Sequence, residues 1–240
     1  MKNNQLFMRC RWENLILLNY PCDPNLLKPY IPGGIELDYF QGKTYLSLVA
    51  FTFRDLRVLG FKVPFHQYFP ELNLRCYVKR YENGEWRRGV VFIKELVPKV
   101  MIEWAARNLF KERFGHVQIR ERAKRGEKEA SVYYSIREGN FKHGISALTQ
   151  AKAEDTAPHT LEEFISQRYY AYNGNQRVTH EYRVEHVPWK IYPDKQIAAD
   201  IHPIRLFPKA FDTIWDKRPE NAFMLDGSPV DVRYIQALKN

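Results

Sequence analysis

Period-two alternation of apolar and polar side chains runs through most of this chain, and it is clearest in Phe69-Pro70-Glu71-Leu72-Asn73-Leu74-Arg75-Cys76-Tyr77-Val78. Leu72, Leu74, Cys76 and Val78 share one side of a strand, and Glu71, Asn73, Arg75 and Tyr77 share the other. Similar alternation predicts strands over residues 6–20, 86–96, 116–123, 129–137, 144–153 and 177–187. Turn signals punctuate them. Asn83-Gly84 joins residues 72–81 to 86–96 as a hairpin, and Gln41-Gly42 is read as the turn between strands at 35–39 and 43–53. Residues 58–70, rich in Gly, Pro and Phe, read as a loop.

Helical signals are fewer. Asp23-Pro24 opens a short helix through Leu26, Leu27 and Tyr30 that stops at Pro32-Gly33-Gly34. Pro98 starts a second, with Val100, Met101, Trp104, Ala105, Leu109 and Phe110 at helical spacing before Gly115. Thr160-Leu161-Glu162-Glu163 is a capping box that launches a third, expected to run to about Tyr172 and end at Asn173-Gly174. The proline-interrupted remainder, from Pro188 to Pro229, is expected to be irregular and to cover the core. No repeat, low-complexity segment or linker stands out, so residues 1–240 are read as one β-rich α+β domain.

Composition narrows the function. Hydrophobic residues make up 45% and aromatics 15%, enough for a sizeable core. Lys+Arg exceed Asp+Glu by 37 to 28, a net charge of +9. The excess is diffuse, and its densest run, Arg120-Glu121-Arg122-Ala123-Lys124-Arg125-Gly126-Glu127-Lys128, carries acids within it and reads as a solvated hairpin tip. Nucleic-acid binding through that run is kept only as a minor alternative. Cys10, Cys22 and Cys76 are odd in number and widely spaced, which argues against a disulfide framework or a cysteine zinc site. With no signal-like apolar segment behind Met1 and no run of about 18 apolar residues, a cytoplasmic protein outside the membrane is expected.

The row Glu71, Asn73, Arg75 leads the candidate chemistry. On a wet sheet face it is a cross-strand ionic row; inside a small barrel it is a binding surface, with Glu71 as acid, base or acceptor and Arg75 as a bidentate carboxylate ligand. Arg168 falls in an apolar stripe with Leu161, Phe164, Ile165, Tyr169 and Tyr172. A guanidinium there needs a partner, either an internal carboxylate or an anionic ligand. His180, Tyr182, Val184 and His186 share a strand side ahead of Pro188-Trp189, but His180 and His186 stand about 20 Å apart along a strand, too far to share a metal. No metal spacing occurs among the other histidines, and no P-loop, GxGxxG or GxSxG motif is present, so neither a metal nor a cofactor is expected. Lys94 and Lys111 are the lysines weighed for Schiff-base chemistry; each reads as a surface lysine.

Four segments, in order, carry a resemblance: Leu17-Leu18-Asn19-Tyr20-Pro21-Cys22-Asp23-Pro24-Asn25-Leu26-Leu27-Lys28-Pro29-Tyr30-Ile31-Pro32-Gly33-Gly34-Ile35-Glu36-Leu37-Asp38, Phe69-Pro70-Glu71-Leu72-Asn73-Leu74-Arg75, Phe164-Ile165-Ser166-Gln167-Arg168-Tyr169 and His186-Val187-Pro188-Trp189. Together, over residues 10–205, they resemble the YqjF-like proteins, domain of unknown function 2071, which look related to acetoacetate decarboxylase. The resemblance implies a closed antiparallel β-barrel or cone with a central cavity and helices outside. It turns the Glu71 row inward. The decarboxylase's paired-lysine stretch corresponds to Leu109-Phe110-Lys111-Glu112-Arg113, where Glu112 and Arg113 stand at the lysine positions, and Tyr20-Pro21 replace an arginine. Only Glu71 carries over.

The expectation is therefore a barrel binding a small organic molecule with a carboxylate or carbonyl. Glu71 is the polar anchor or proton carrier, Asn73 and Arg75 orient the ligand, Arg168 neutralises an anion, and His186 with Trp189 closes the far wall. A non-catalytic binding or sensing protein with the same cavity is the alternative, and homo-oligomerisation is open.

Overall fold

The computed structural model describes residues 5–98, 113–193, 196–201 and 207–238. The helix expected after Pro98, with Lys111 and Glu112, lies outside the described residues. Long strands dominate: β1 (Leu6–Cys22), β3 (Thr44–Val58), β5 (Tyr68–Glu82), β6 (Glu85–Val97) and β14 (Asn221–Arg233), with β11 (Tyr170–Gly174) and β12 (Thr179–Glu185) shorter. Their hydrogen-bonded order is β5-β3-β1-β14-β12-β11-β6, and β6 pairs with β5 again. Seven strands thus make a continuous ring, which is what a cone-like sheet requires.

The ring departs from the antiparallel expectation at one seam. Strands β6 and β11 run parallel, through Tyr170 opposite Gly89 and Ala171 opposite Val90. Gly89 makes this seam possible, because a Cβ there would stand 2.5 Å from the Tyr170 carbonyl oxygen. A second close approach involves Gly227, at φ +79°, where a Cβ would stand 2.0 Å from the Trp12 carbonyl. Opposite it, the β1–β3 register shifts between Glu13 and Ile16, around Asn14 at φ 57°.

A second sheet, ordered β13 (Gln196–Asp200), β10 (Phe141–Gln150), β9 (Glu129–Glu138), β8 (Gln118–Arg125), covers one outer face of the ring. Its Ile119, Val132, Tyr134, Ile136, Ile145 and Ala147, with Val117 just before β8, share a core with Ile16, Leu18, Leu48, Leu72, Leu74 and Cys76. Phe211 and Ile214, beside and within helix α3 (Asp212–Trp215), join that core. The run at 120–128 is largely exposed but tied inward at two points. Glu121 Oε1 accepts from Asn14 Nδ2 at 2.6 Å, and Arg125 Nη2 donates to Asn14 Oδ1 at 2.9 Å. The hairpin tip is therefore a clamp between the layers as well as a solvated edge.

Helix α1 (Pro24–Leu27) starts as expected: Asp23 caps it by accepting from the Asn25 amide at 2.8 Å. Three expectations change. Around Gln41-Gly42 only Phe40 and Lys43 bridge, and β2 (Glu36–Leu37) pairs with β5 instead. The reason is that β1 and β5 already occupy both edges of β3. Helix α2 spans only Leu161–Ser166, because Tyr170, Ala171 and Tyr172 are taken into the ring as β11. The proline-rich tail supplies β14, a principal strand beside β1; its buried run Phe223-Met224-Leu225 outweighs Pro219 just before the strand and Pro229 within it.

Candidate functional site

The two sides of β5 are both buried. Glu71, Asn73 and Arg75 are only 3%, 1% and 4% exposed, so the solvated-face reading does not hold. The side of Leu72, Leu74, Cys76 and Val78 meets the second sheet, while the polar side looks into the ring. Residues directly opposite across strands share a side, so register maps the interior wall. Phe51 faces Glu71, Val49 faces Asn73 and Ser47 faces Arg75 on β3. Next, Asn19 faces Ser47 on β1, and Asn221 faces Asn19 on β14. On β6, Glu95 faces Asn73 and, past a bulge, Phe92 faces Arg75.

This wall holds two kinds of polar group. Some are satisfied: Asn73 Nδ2 donates to Glu71 Oε1 at 3.0 Å, and Ser47 Oγ donates to Asn19 Oδ1 at 2.6 Å. Having spent its proton there, Ser47 accepts from Tyr77 Oη at 2.6 Å. Others have no hydrogen-bond partner among the described residues: Arg75 Nε and Nη2, Asn73 Oδ1 and Asn19 Nδ2. Burying such groups unmatched costs about 1–3 kcal/mol each, so their occurrence together on one wall calls for an explanation.

Arg168 sits just beyond α2 and is 5% exposed. Its partner is an internal carboxylate: Nη1 donates to Asp38 Oδ2 at 2.6 Å and Nε to the Phe164 carbonyl at 2.5 Å. The guanidinium lies 4.0 Å over the Phe164 ring and 5.2 Å from the centre of Tyr77, at the end of the β5 row. Burial pulls its pKa down to about 10, against the pull of Asp38, and leaves it charged at neutral pH.

His186 and Trp189 form one stack, rings 4.0 Å apart and 11° from parallel. Trp189 Nε1 donates to Ser228 Oγ at 2.9 Å, and its ring packs on Trp12, which touches Phe51 and Phe53. The His186 Nδ1 stands 2.8 Å from the Val187 carbonyl. Burial lowers the His186 pKa, hydrogen bonding to the Val187 and Arg168 carbonyls offsets part of this, and the Arg75 charge adds a smaller lowering. Cys10 lines the same apolar cluster; burial pushes its thiol far up, which leaves it a poor nucleophile. Cys10, Cys22 and Cys76 are all free and buried.

A family model described as DUF2071, uncharacterized conserved protein, matches residues 9–223. The chain belongs to the DUF2071 family. Within it, the chain is 26% identical to the uncharacterized protein YqjF of Bacillus subtilis over 188 residues, 76% of this chain and 74% of that one. The DUF2071 fold here is similar to solved structures at low identity. The enduracididine biosynthesis enzyme MppR, bound to the condensation product of pyruvate and imidazole 4-carboxaldehyde, superposes with a TM-score of 0.68 at 10% identity, over 97% of this chain and 89% of that one. Acetoacetate decarboxylase from Legionella pneumophila gives 0.64 at 13% identity, over 97% and 87%. At such identities the likeness establishes an acetoacetate decarboxylase-like fold.

For this DUF2071 member, Lys94 lies on the wrong side for interior chemistry. It pairs opposite Leu74, on the side turned to the outer layer, and its Nζ lies against Gly115. Among the described residues no lysine is fully buried, and no group of three His, Cys, Asp or Glu side chains is placed to hold a metal. No helix of the described residues is long and apolar enough to cross a membrane. The alternation left Asn19, Ser47, Asp38 and Glu95 unremarked. Asn19 and Ser47 were visible as polar residues continuing the apolar rows Leu15, Leu17 and Tyr45, Val49; nothing local distinguishes Asp38.

Proposed function

We propose that this protein, acting as one domain, binds a small organic acid or carbonyl compound inside the strand ring. Arg75 receives the acidic or carbonyl oxygen, Asn73 and Glu71 hold the neighbouring group, and the His186–Trp189 stack closes the opposite wall. Arg168 tightens the end of the row through Asp38 and Tyr77. The observation that carries this reading is Arg75: a buried guanidinium with two nitrogens lacking a hydrogen-bond partner among the described residues. An unpaired buried charge is too costly to retain as packing. Support also comes from the fold neighbours, since MppR is described in complex with pyruvate.

Binding without covalent catalysis is the reading favoured for the described residues, because Lys94 faces away from the row. Incubation with a panel of small keto acids, borohydride trapping and intact-mass analysis tests this directly, with thermal shift run in parallel on keto, hydroxy and unsubstituted carboxylic acids and on simple carbonyl compounds. Expected is a saturable rise in Tm and no reduced adduct. An adduct on one lysine overturns the non-covalent reading and identifies a Schiff-base lysine. No shift with any small carboxylate or carbonyl removes the binding proposal.

A further inference from the structure

The Asn73 amide has a determined orientation. Its Nδ2 donates to Glu71 Oε1 at 3.0 Å, and a carboxylate oxygen can be met only by the N–H end of an amide. That turns Oδ1 away from Glu71, and this oxygen is buried with no donor among the described residues. Two positions along the same side, Arg75 presents Nε and Nη2, also without partners. Residues two apart on a strand are separated by about 6.6 Å, a distance that three or four bonded heavy atoms span once side-chain reach is included.

The wall therefore offers a fork of two N–H donors suited to a carboxylate. Beside it stands one acceptor that only an O–H or N–H can satisfy. A keto oxygen is an acceptor and would leave Asn73 Oδ1 unmatched, at the full cost of a buried polar group. An ammonium could donate too, but it would stand next to the Arg75 charge with the Glu71 carboxylate on its other side already hydrogen-bonded to Asn73, which makes an amino acid the competitor to be separated by experiment. The neighbours opposite the row, Phe51 and Val49, are apolar and suit an alkyl or aromatic substituent.

Resting on the ring interior as the ligand site, we propose that the ligand is a 2-hydroxy carboxylic acid. Its carboxylate lies on the Arg75 fork and its hydroxyl donates to Asn73 Oδ1. The site therefore selects against the 2-keto acid of the same skeleton.

Calorimetric titration of the full chain with lactate, pyruvate, propionate and alanine tests this. Lactate is expected to bind at least about tenfold more tightly than the other three, the effect of one buried polar group left unmatched. In Asn73→Leu the lactate preference should collapse, so that lactate and propionate bind alike. Arg75→Met should weaken all the acids that bind. Pyruvate or alanine binding as tightly as lactate overturns the hydroxyl assignment while leaving the ring as an acid site. So does a lactate preference that survives in Asn73→Leu. Failure of all four acids to bind overturns the ring-interior reading itself, and the assignment with it.

Discussion

Arg168 and Arg75 are equally buried, at 5% and 4% exposure, yet they belong to opposite kinds of region. At the α2–β11 corner, Arg168 is held by Asp38, by the Phe164 carbonyl and by two aromatic faces. On the β5 wall, Arg75 has a loose contact 5.8 Å from the Tyr77 ring centre and two nitrogens without hydrogen-bond partners among the described residues. The first arrangement is what folding alone needs of a buried cation: its charge is met by a carboxylate and two of its three nitrogens are used, with only Nη2 lacking a hydrogen-bond partner among the described residues. The second is what folding alone would discard. Burial by itself therefore does not distinguish the two arginines; the inventory of their donors does.

The sharpest way to break that contrast is to strand Arg168. Asp38→Ala leaves its guanidinium buried without a carboxylate and should cost about 3–5 kcal/mol of stability in urea unfolding. Arg75→Met should instead unfold within about 1 kcal/mol of the parent, since it removes a charge rather than stranding one. The same variant should weaken carboxylate binding by about 2 kcal/mol, the worth of hydrogen bonds to a charged group. If Arg75→Met destabilises as much as Asp38→Ala, the two arginines are alike and the functional reading of the wall loses its basis.

A smaller effect is expected at the satisfied end of the same wall. Ser47→Ala removes the hydroxyl shared by Tyr77 and Asn19 and should cost about 1–2 kcal/mol with little change in ligand affinity. A large loss of affinity would extend the site to that level.

The smallest effect is a pH slope. Burial chiefly, against the opposing hydrogen bonds to the Val187 and Arg168 carbonyls and with a small contribution from the Arg75 charge, holds the His186 pKa below 6.5, so the folded state keeps this ring neutral where the unfolded chain begins to protonate it. The unfolded state then binds more protons, and stability rises with pH across that window. The contribution is fully present above about 6.5 and is lost as pH falls through the folded pKa. Tm should therefore decline from pH 7 to pH 5 more steeply in the parent than in His186→Phe. In Arg75→Met, NMR titration should find the His186 pKa raised; an unchanged value would separate the stack from the β5 wall.

Local signals were read well where the chain carries its own punctuation. Asn83 and Gly84, both at positive φ, turn between β5 and β6 as their residue types require. Asp23 and Thr160 cap helices as expected. Local reading went astray where distant strands competed for a segment. Residues 170–172 continue the spacing of α2, yet they serve as β11 because the ring needs a strand between β12 and β6. The prolines at 219 and 229 suggest irregular chain, yet β14 starts just after Pro219 and runs through Pro229 to Arg233 beside β1.

The same division holds at the site. Alternation along residues 69–78 by itself determined that Glu71, Asn73, Arg75 and Tyr77 share one side, because a strand's side-chain period is two. It also placed Arg168 among apolar neighbours and demanded a partner for it. Only the tertiary structure decided that the partner is Asp38, 130 positions away, and that the β5 row faces the interior. Period two sets the phase between neighbouring side chains but says nothing about which side is inward. That choice is made by β6 pairing back to β5 and by the second sheet covering the other side, contacts between residues far apart in the chain.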